Sequence, residues 1–230
     1  SACDGIHVFI KDFFRIWVNL LQLHFLFVVF QYVSNSSLFR CQMKRYSDKD
    51  LLDAARHGRV GDVLELIVAK ASLEVKDADE STPLMLAASY GHADTVKILI
   101  EDNAMVEAVN RNKSTPLMYA AYNGYADVVR MLLEANAVLD VRDCTRHTPL
   151  MYAAMKNNAD AASALIAAKA ALEVDNNEKR TAMMLAAYNG HTKVVKVLIE
   201  AKAALDRVDI KSRTPVMCAE SNKHYETAQV

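Results

Sequence analysis

Thr115-Pro116-Leu117-Met118-Tyr119-Ala120-Ala121-Tyr122-Asn123-Gly124 decides the fold of this chain. Its threonine recurs at a strict spacing of 33, as Thr82, Thr115, Thr148, Thr181 and Thr214. The phrases that follow are near-copies: TPLMLAA, TPLMYAA, TPLMYAA, TAMMLAA and TPVMCAE. A fixed period in this range marks a stacked array of repeats, in which each unit buries its apolar face against its neighbours.

The phrase has a direct physical reading. A threonine hydroxyl caps a helix, and a proline just after it sits at the first helical position, where its missing N–H costs nothing. In the copy from Thr82 the helix is short and built of small residues, and Gly91 supplies the left-handed turn that stops it. A second helix follows, with Val96, Leu99 and Ile100 on one face. Then come polar Glu101-Asp102-Asn103 and an extended piece through Val106. Asp77, Asn110, Asp143, Asn176 and Asp209 each begin a turn five residues before a threonine. The unit is helix, turn, helix and protruding hairpin-like loop, an all-α solenoid.

These residues resemble the ankyrin repeat. The resemblance rests on the TPL opening, the paired alanines, Gly91-His92 and Gly190-His191, and the runs Val128–Leu132 and Val194–Leu198. A sixth unit with a degenerate start lies upstream, Asp50-Leu51-Leu52-Asp53-Ala54-Ala55-Arg56-His57-Gly58, with Ser47 and Asp50 as its capping box. The resemblance covers about residues 47–230. The repeat domain is placed at 43–230, with about six repeats, the last truncated. It implies an ankyrin solenoid of paired antiparallel helices.

The chain departs from the family pattern in three columns. Met85, Met118, Met151, Met184 and Met217 stand where the family usually has histidine, so these repeats should lean on apolar packing along a continuous core. Lys70, Asn103, Asn136, Lys169 and Lys202 replace the glycine after the second helix. Glu80, Lys113, Arg146, Lys179 and Ser212 replace the loop glycine, which predicts a different turn there. The loop position where many family members carry asparagine is acidic: Glu74, Glu107, Asp140, Glu173 and Asp206. These carboxylates are expected to pair with loop cations or to accept from loop backbone.

The front of the chain is different material. All seven Phe and the only Trp lie before residue 40, and the first Met is Met43. Residues 1–42 read as an apolar, aromatic-rich segment: sequence upstream of a start at Met43, a membrane anchor through 16–33, or a helix packed on the first repeat. The stretch Ile16–Val33 has the length of a short span, but Asn19, Gln22, His24 and Gln31 interrupt it.

Composition narrows the function. The net charge is −1, with no clustered basic excess, so nucleic acid is not an expected partner. Cys3, Cys41, Cys144 and Cys218 are scattered without metal spacing, as in a reduced, cytoplasmic protein. No metal or cofactor is expected. His57, His92, His147, His191 and His224 follow the repeat and show no carboxylate or cysteine partner in sequence, so no catalytic residue is assigned.

In an array, packing residues recur and binding residues vary. The variable residues fall at the loop tips and at the ends of the first helices, which the resemblance implies line a concave face. Twelve are taken as candidate partner contacts: Tyr90, Arg111, Asn112, Tyr122, Asn123, Arg146, His147, Lys156, Arg180, Tyr188, Asn189 and Arg213. Tyrosine offers rigid amphipathic area. The loop tips turn from acidic at Asp77, Asp79 and Glu80 to basic further along, a pattern that steers an acidic segment toward the later repeats. The expected function is a monomeric, non-catalytic scaffold for a protein partner. The alternatives are a regulatory region of a larger enzyme, such as a kinase, and a membrane-tethered array.

Overall fold

The computed structural model describes residues 47–230. The readings placed on residues 1–42 and on the span 16–33 lie outside them. The described residues form helices and loops with no strand. The helices are α1 (Asp48–Arg56), α2 (Val60–Val68), α3 (Pro83–Tyr90), α4 (Ala93–Glu101), α5 (Pro116–Asn123) and α6 (Ala126–Glu134). They continue as α7 (Pro149–Met155), α8 (Ala159–Ala167), α9 (Ala182–Tyr188), α10 (Thr192–Glu200), α11 (Pro215–Ser221) and α12 (Tyr225–Ala228). The odd-numbered first helices stack on one another, the even-numbered second helices stack in a parallel layer, and each first helix packs on its own second helix.

The threonine period works as its chemistry dictates. Thr82, Thr115, Thr148, Thr181 and Thr214 are each an extended N-cap whose hydroxyl accepts from the backbone N–H three residues on, at 3.3–3.4 Å. Those donors are the five methionines of the column. The degenerate first repeat has a different start, in which Asp50 reaches back and accepts from the Ser47 N–H at 2.6 Å.

Methionine fills the inter-repeat core. Met85, Met118, Met151 and Met184 are at most 1% exposed. Met217 departs from the expected column, being 50% exposed, with Val216 beside it also open. The reason is positional. Each of the other four lies on a first helix packed by a following first helix, whereas no described helix follows α11 and α12.

Every left-handed residue among those described falls in one of three repeat phases. One follows the first helix: Gly58, Gly91, Gly124, Asn157, Gly190 and Lys223. One follows the second helix: Lys70, Asn103, Asn136, Lys169 and Lys202. The third is the loop, at Glu80, Lys113, Arg146, Lys179 and Ser212, with φ between 55° and 64°. The loops therefore keep the conformation a glycine would favour, and the different turn predicted from the missing glycines does not form. Their geometry is over-determined by the residue that opens each loop. The Oδ1 atoms of Asp77, Asn110, Asp143, Asn176 and Asp209 each accept the N–H groups two and four residues ahead. This Asx column alternates strictly between aspartate and asparagine.

Two further ladders lock one repeat to the next. The N–H of Arg111, Cys144, Asn177 and Ile210 donates to the carbonyl of Asp79, Asn112, Thr145 and Glu178 in the preceding loop. Carboxylates of Glu74, Glu107, Asp140 and Glu173 accept the N–H of Met105, Val138, Ala171 and Ala204, each 31 residues on, at 2.8–3.0 Å. The acidic column is thus a chain of backbone ties, as expected. Charged acceptors on backbone donors are among the stronger hydrogen bonds of a fold.

Candidate functional site

Loops and first helices together enclose a groove of about 200 Å3 at the middle of the described array. Asn112 and Ser114 form its loop wall, and Met118, Tyr119, Tyr122 and Tyr152 form its helical wall. The rings of Tyr122 and Tyr152 meet edge to face at 5.6 Å. The Lys156 ammonium lies over the Tyr122 ring at 4.5 Å. Tyr119 and Tyr152 turn their hydroxyls away, toward the loops. Tyr119 receives a hydrogen bond from Asn110 at 2.8 Å, and Tyr152 donates to Asp143 at 2.5 Å. What they offer the groove is ring surface.

Tyr119 and Tyr152 were missed by sequence reasoning, because they lie inside the repeated phrase. A signal was present. Their phase carries Leu86, Leu185 and Cys218 in the other full copies, so tyrosine in two adjacent repeats is a departure from core composition.

Asp143 anchors a polar network behind the groove. Burial disfavours its charge, yet donors from Tyr152, Thr145 and His147 overcome this and hold the carboxyl below its ordinary value. The half-buried Tyr152 phenol, set beside that carboxylate, is pushed well up. The Asn176 Oδ1 is committed to its own loop, so its Nδ2 faces the His147 Nε2 at 3.1 Å and donates to it. His147 Nδ1–H then donates to Thr145 Oγ1 at 2.6 Å, and that hydroxyl donates to Asp143. His147 is thereby held as one neutral tautomer, and burial pushes its pKa down. The expectation that the histidines lack carboxylate partners is corrected here, since Asp143 Oδ1 is 4.0 Å from His147 Nδ1. His57 is corrected likewise, with its Nδ1 3.1 Å from Asp53. Spacing alone hid both, because the partners lie four residues away across a turn.

A second cluster surrounds Tyr188. The guanidinium carbons of Arg180 and Arg213 lie 4.6 Å and 5.9 Å from its ring centroid. Both arginines converge on Asp209, with Arg213 at 2.6 Å and Arg180 at 3.5 Å. Burial opposes ionisation of Asp209, but the Arg213 guanidinium and the loop N–H groups prevail and hold its pKa at about 2. These two arginines are therefore engaged internally.

The other candidate residues divide in the same way. Arg111 donates to the Ala78 carbonyl at 2.9 Å, and Arg146 lies 3.4 Å from Asp175. Asn123 donates across the repeat junction to the Ser89 carbonyl at 2.9 Å, and Asn189 back to Leu185 at 2.8 Å. Tyr90 stays open to solvent, its ring stacked near His92. The structure brings Asn112, Tyr122 and Lys156 to one groove, with His147 directly behind it.

The family model of ankyrin repeats, three copies long, matches residues 51–143 and 150–230, more than half of the chain. The chain belongs to the ankyrin-repeat family. Ankyrin repeats are generally protein–protein interaction modules, and the ankyrin fold is typically non-catalytic. No curated protein matches the chain. Among the described residues, no group of three or more His, Cys, Asp or Glu side chains is placed to hold a metal ion. No described helix is long and apolar enough to cross a membrane.

Proposed function

We propose that this ankyrin array is a non-catalytic scaffold that holds a protein partner on the concave face lined by its loops and first helices. The observation that carries this reading is the groove itself. Tyr119 and Tyr152 stand where other copies carry Leu86, Leu185 and Cys218, with their hydroxyls turned back toward the loops, and Tyr122 sets an open ring beside them. Aromatic side chains that a partner buries on binding dominate the energetics of protein interfaces. Tyr122 and Lys156 are the open contacts, with Asn112 on the facing wall. Tyr90 extends the same surface toward the first repeats. Arg180, Arg213 and Tyr188 form a stiffened arginine–tyrosine patch further along.

The test is a pull-down from native lysate with the wild-type chain and with Tyr122→Ala/Lys156→Ala. Both residues are exposed, so helicity and unfolding midpoint should stay close to wild type. The reading expects the double variant to lose partners that the wild type retains. Identical partner sets on two equally folded proteins would remove this face from consideration.

A further inference from the structure

We infer that the occupant of the Tyr119–Tyr122–Tyr152 groove is an extended acidic peptide segment that inserts one large apolar side chain between the rings. This inference rests on the scaffold reading above and names the partner class for it.

Size argues against a small-molecule occupant. A groove of about 200 Å3 is smaller than the roughly 300–1,000 Å3 typical of small-molecule sites, and it suits a single side chain. Its lining is mainly ring surface and the Met118 side chain, with the hydroxyls of Tyr119 and Tyr152 already bonded to Asn110 and Asp143. Such a lining favours an apolar group, since an inserted polar one would lose water without gaining a partner.

Charge selects the flanks. The two chain segments that build the groove, 110–123 and 143–156, carry Arg111, Lys113, Arg146 and Lys156 against one carboxylate, that of Asp143. Asp143 is buried, and its oxygens are occupied by Tyr152, Thr145 and its own loop. It therefore offers little negative charge to a ligand. Arg111 and Arg146 have carboxylate neighbours in Glu80 and Asp175. Lys113 and Lys156 have none within ion-pair distance among the described residues. Lys113 stands between the wall residues Asn112 and Ser114, and Lys156 caps the Tyr122 ring. An apolar centre flanked by cations that have no carboxylate partner is complementary to an apolar residue flanked by carboxylates. A nucleic acid strand would want a basic track along the array, and the chain as a whole has a net charge of −1.

The experiment pans phage-displayed random dodecapeptides against the immobilised full chain, then measures selected synthetic peptides by fluorescence anisotropy. The expected result is enrichment of peptides with several Asp or Glu around one Leu, Met or Phe. Their affinity should fall about tenfold or more in Lys113→Glu/Lys156→Glu, fall again with rising salt, and fall in Tyr122→Ala. Enriched peptides without acidic bias that still depend on Tyr122 would overturn the acidic inference and leave the groove reading standing. Peptides that bind Tyr122→Ala as well as wild type would overturn both. Failure to enrich any peptide would overturn the inference. So would tighter binding of a single-stranded dT oligonucleotide, lost in the double lysine variant. Circular dichroism of each variant confirms that the lysine and tyrosine changes leave the array folded.

Discussion

Met151 and Met217 occupy the same phase of the same phrase, yet one is 1% exposed and the other 50%. Replacing each with alanine isolates what stacking contributes. Met151→Ala removes three heavy atoms from a site enclosed by helices on both sides. At about 0.8 kcal/mol per buried methylene-sized group, the transfer loss is roughly 2–2.5 kcal/mol. The remaining void adds a cavity cost, and buried Met→Ala changes span roughly 2–5 kcal/mol in all. We expect about 3 kcal/mol for Met151→Ala. Met217 forfeits about half the transfer loss and leaves no enclosed void, so Met217→Ala should cost about 1 kcal/mol or less. Urea unfolding of the full chain, followed by far-ultraviolet circular dichroism, measures both. The slope of the transition must be checked, because repeat arrays can lose all-or-none behaviour when a junction is weakened. On heating, a chain of this size should show the difference as a shift of roughly 2–4 °C per kcal/mol. Equal costs at the two sites, or a Met151→Ala cost below about 1 kcal/mol, would refute the argument that this column is stacking core.

Three further expectations follow from the loops. In Asn176→Asp, the donor facing His147 Nε2 becomes an acceptor, so the His147 pKa should move from below its ordinary value of 6.5 to above it; imidazole proton NMR against pH reads this directly. Asp209 titrates at about 2 in the folded chain, against about 3.9 unfolded. It contributes stability that is full above the unfolded value and is lost as pH falls from about 4 toward 2; urea midpoints should drop in that window for wild type, and less steeply for Asp209→Asn. Lys169 and Lys202 hold φ of 72° and 64°, a conformation that costs a side-chain-bearing residue roughly 1–2 kcal/mol. Glycine there relieves that strain at an unfolded-state cost of roughly 0.4–1 kcal/mol, so each Lys→Gly change should raise the unfolding midpoint modestly.

The architecture was legible because its signals are local. A hydroxyl cap, a proline at the first helical position and a following glycine specify a helix regardless of what surrounds them. The acidic column was also readable as hydrogen-bonding groups, although not its partners 31 residues on, since only stacking brings them together. Loop geometry was misread. The loss of glycine argued for another turn, but the Asx side chain and the inter-loop ladder outweigh the strain on Glu80, Lys113, Arg146, Lys179 and Ser212. The groove was only half visible. Tyr122 stood out as a variable residue, whereas Tyr119 and Tyr152 were concealed inside a phrase that repeats. Arg180 and Arg213 varied as binding residues do, yet their variation serves Asp209 and Tyr188.

The alternation of aspartate and asparagine down the loop column has a consequence for how such an array can grow or be rebuilt. Asp143 is followed by Asn176, whose amide holds the neutral ring of His147, and Asn176 by Asp209, which Arg180 and Arg213 share. Deleting one repeat between Asp143 and Asp209 would set two buried carboxylates in adjacent loops with only one loop's cations to answer them. Deleting two restores the order. The exchangeable module of this chain is therefore the pair, and recombination or engineering that moves repeats singly disturbs a charge parity that moving them in twos preserves.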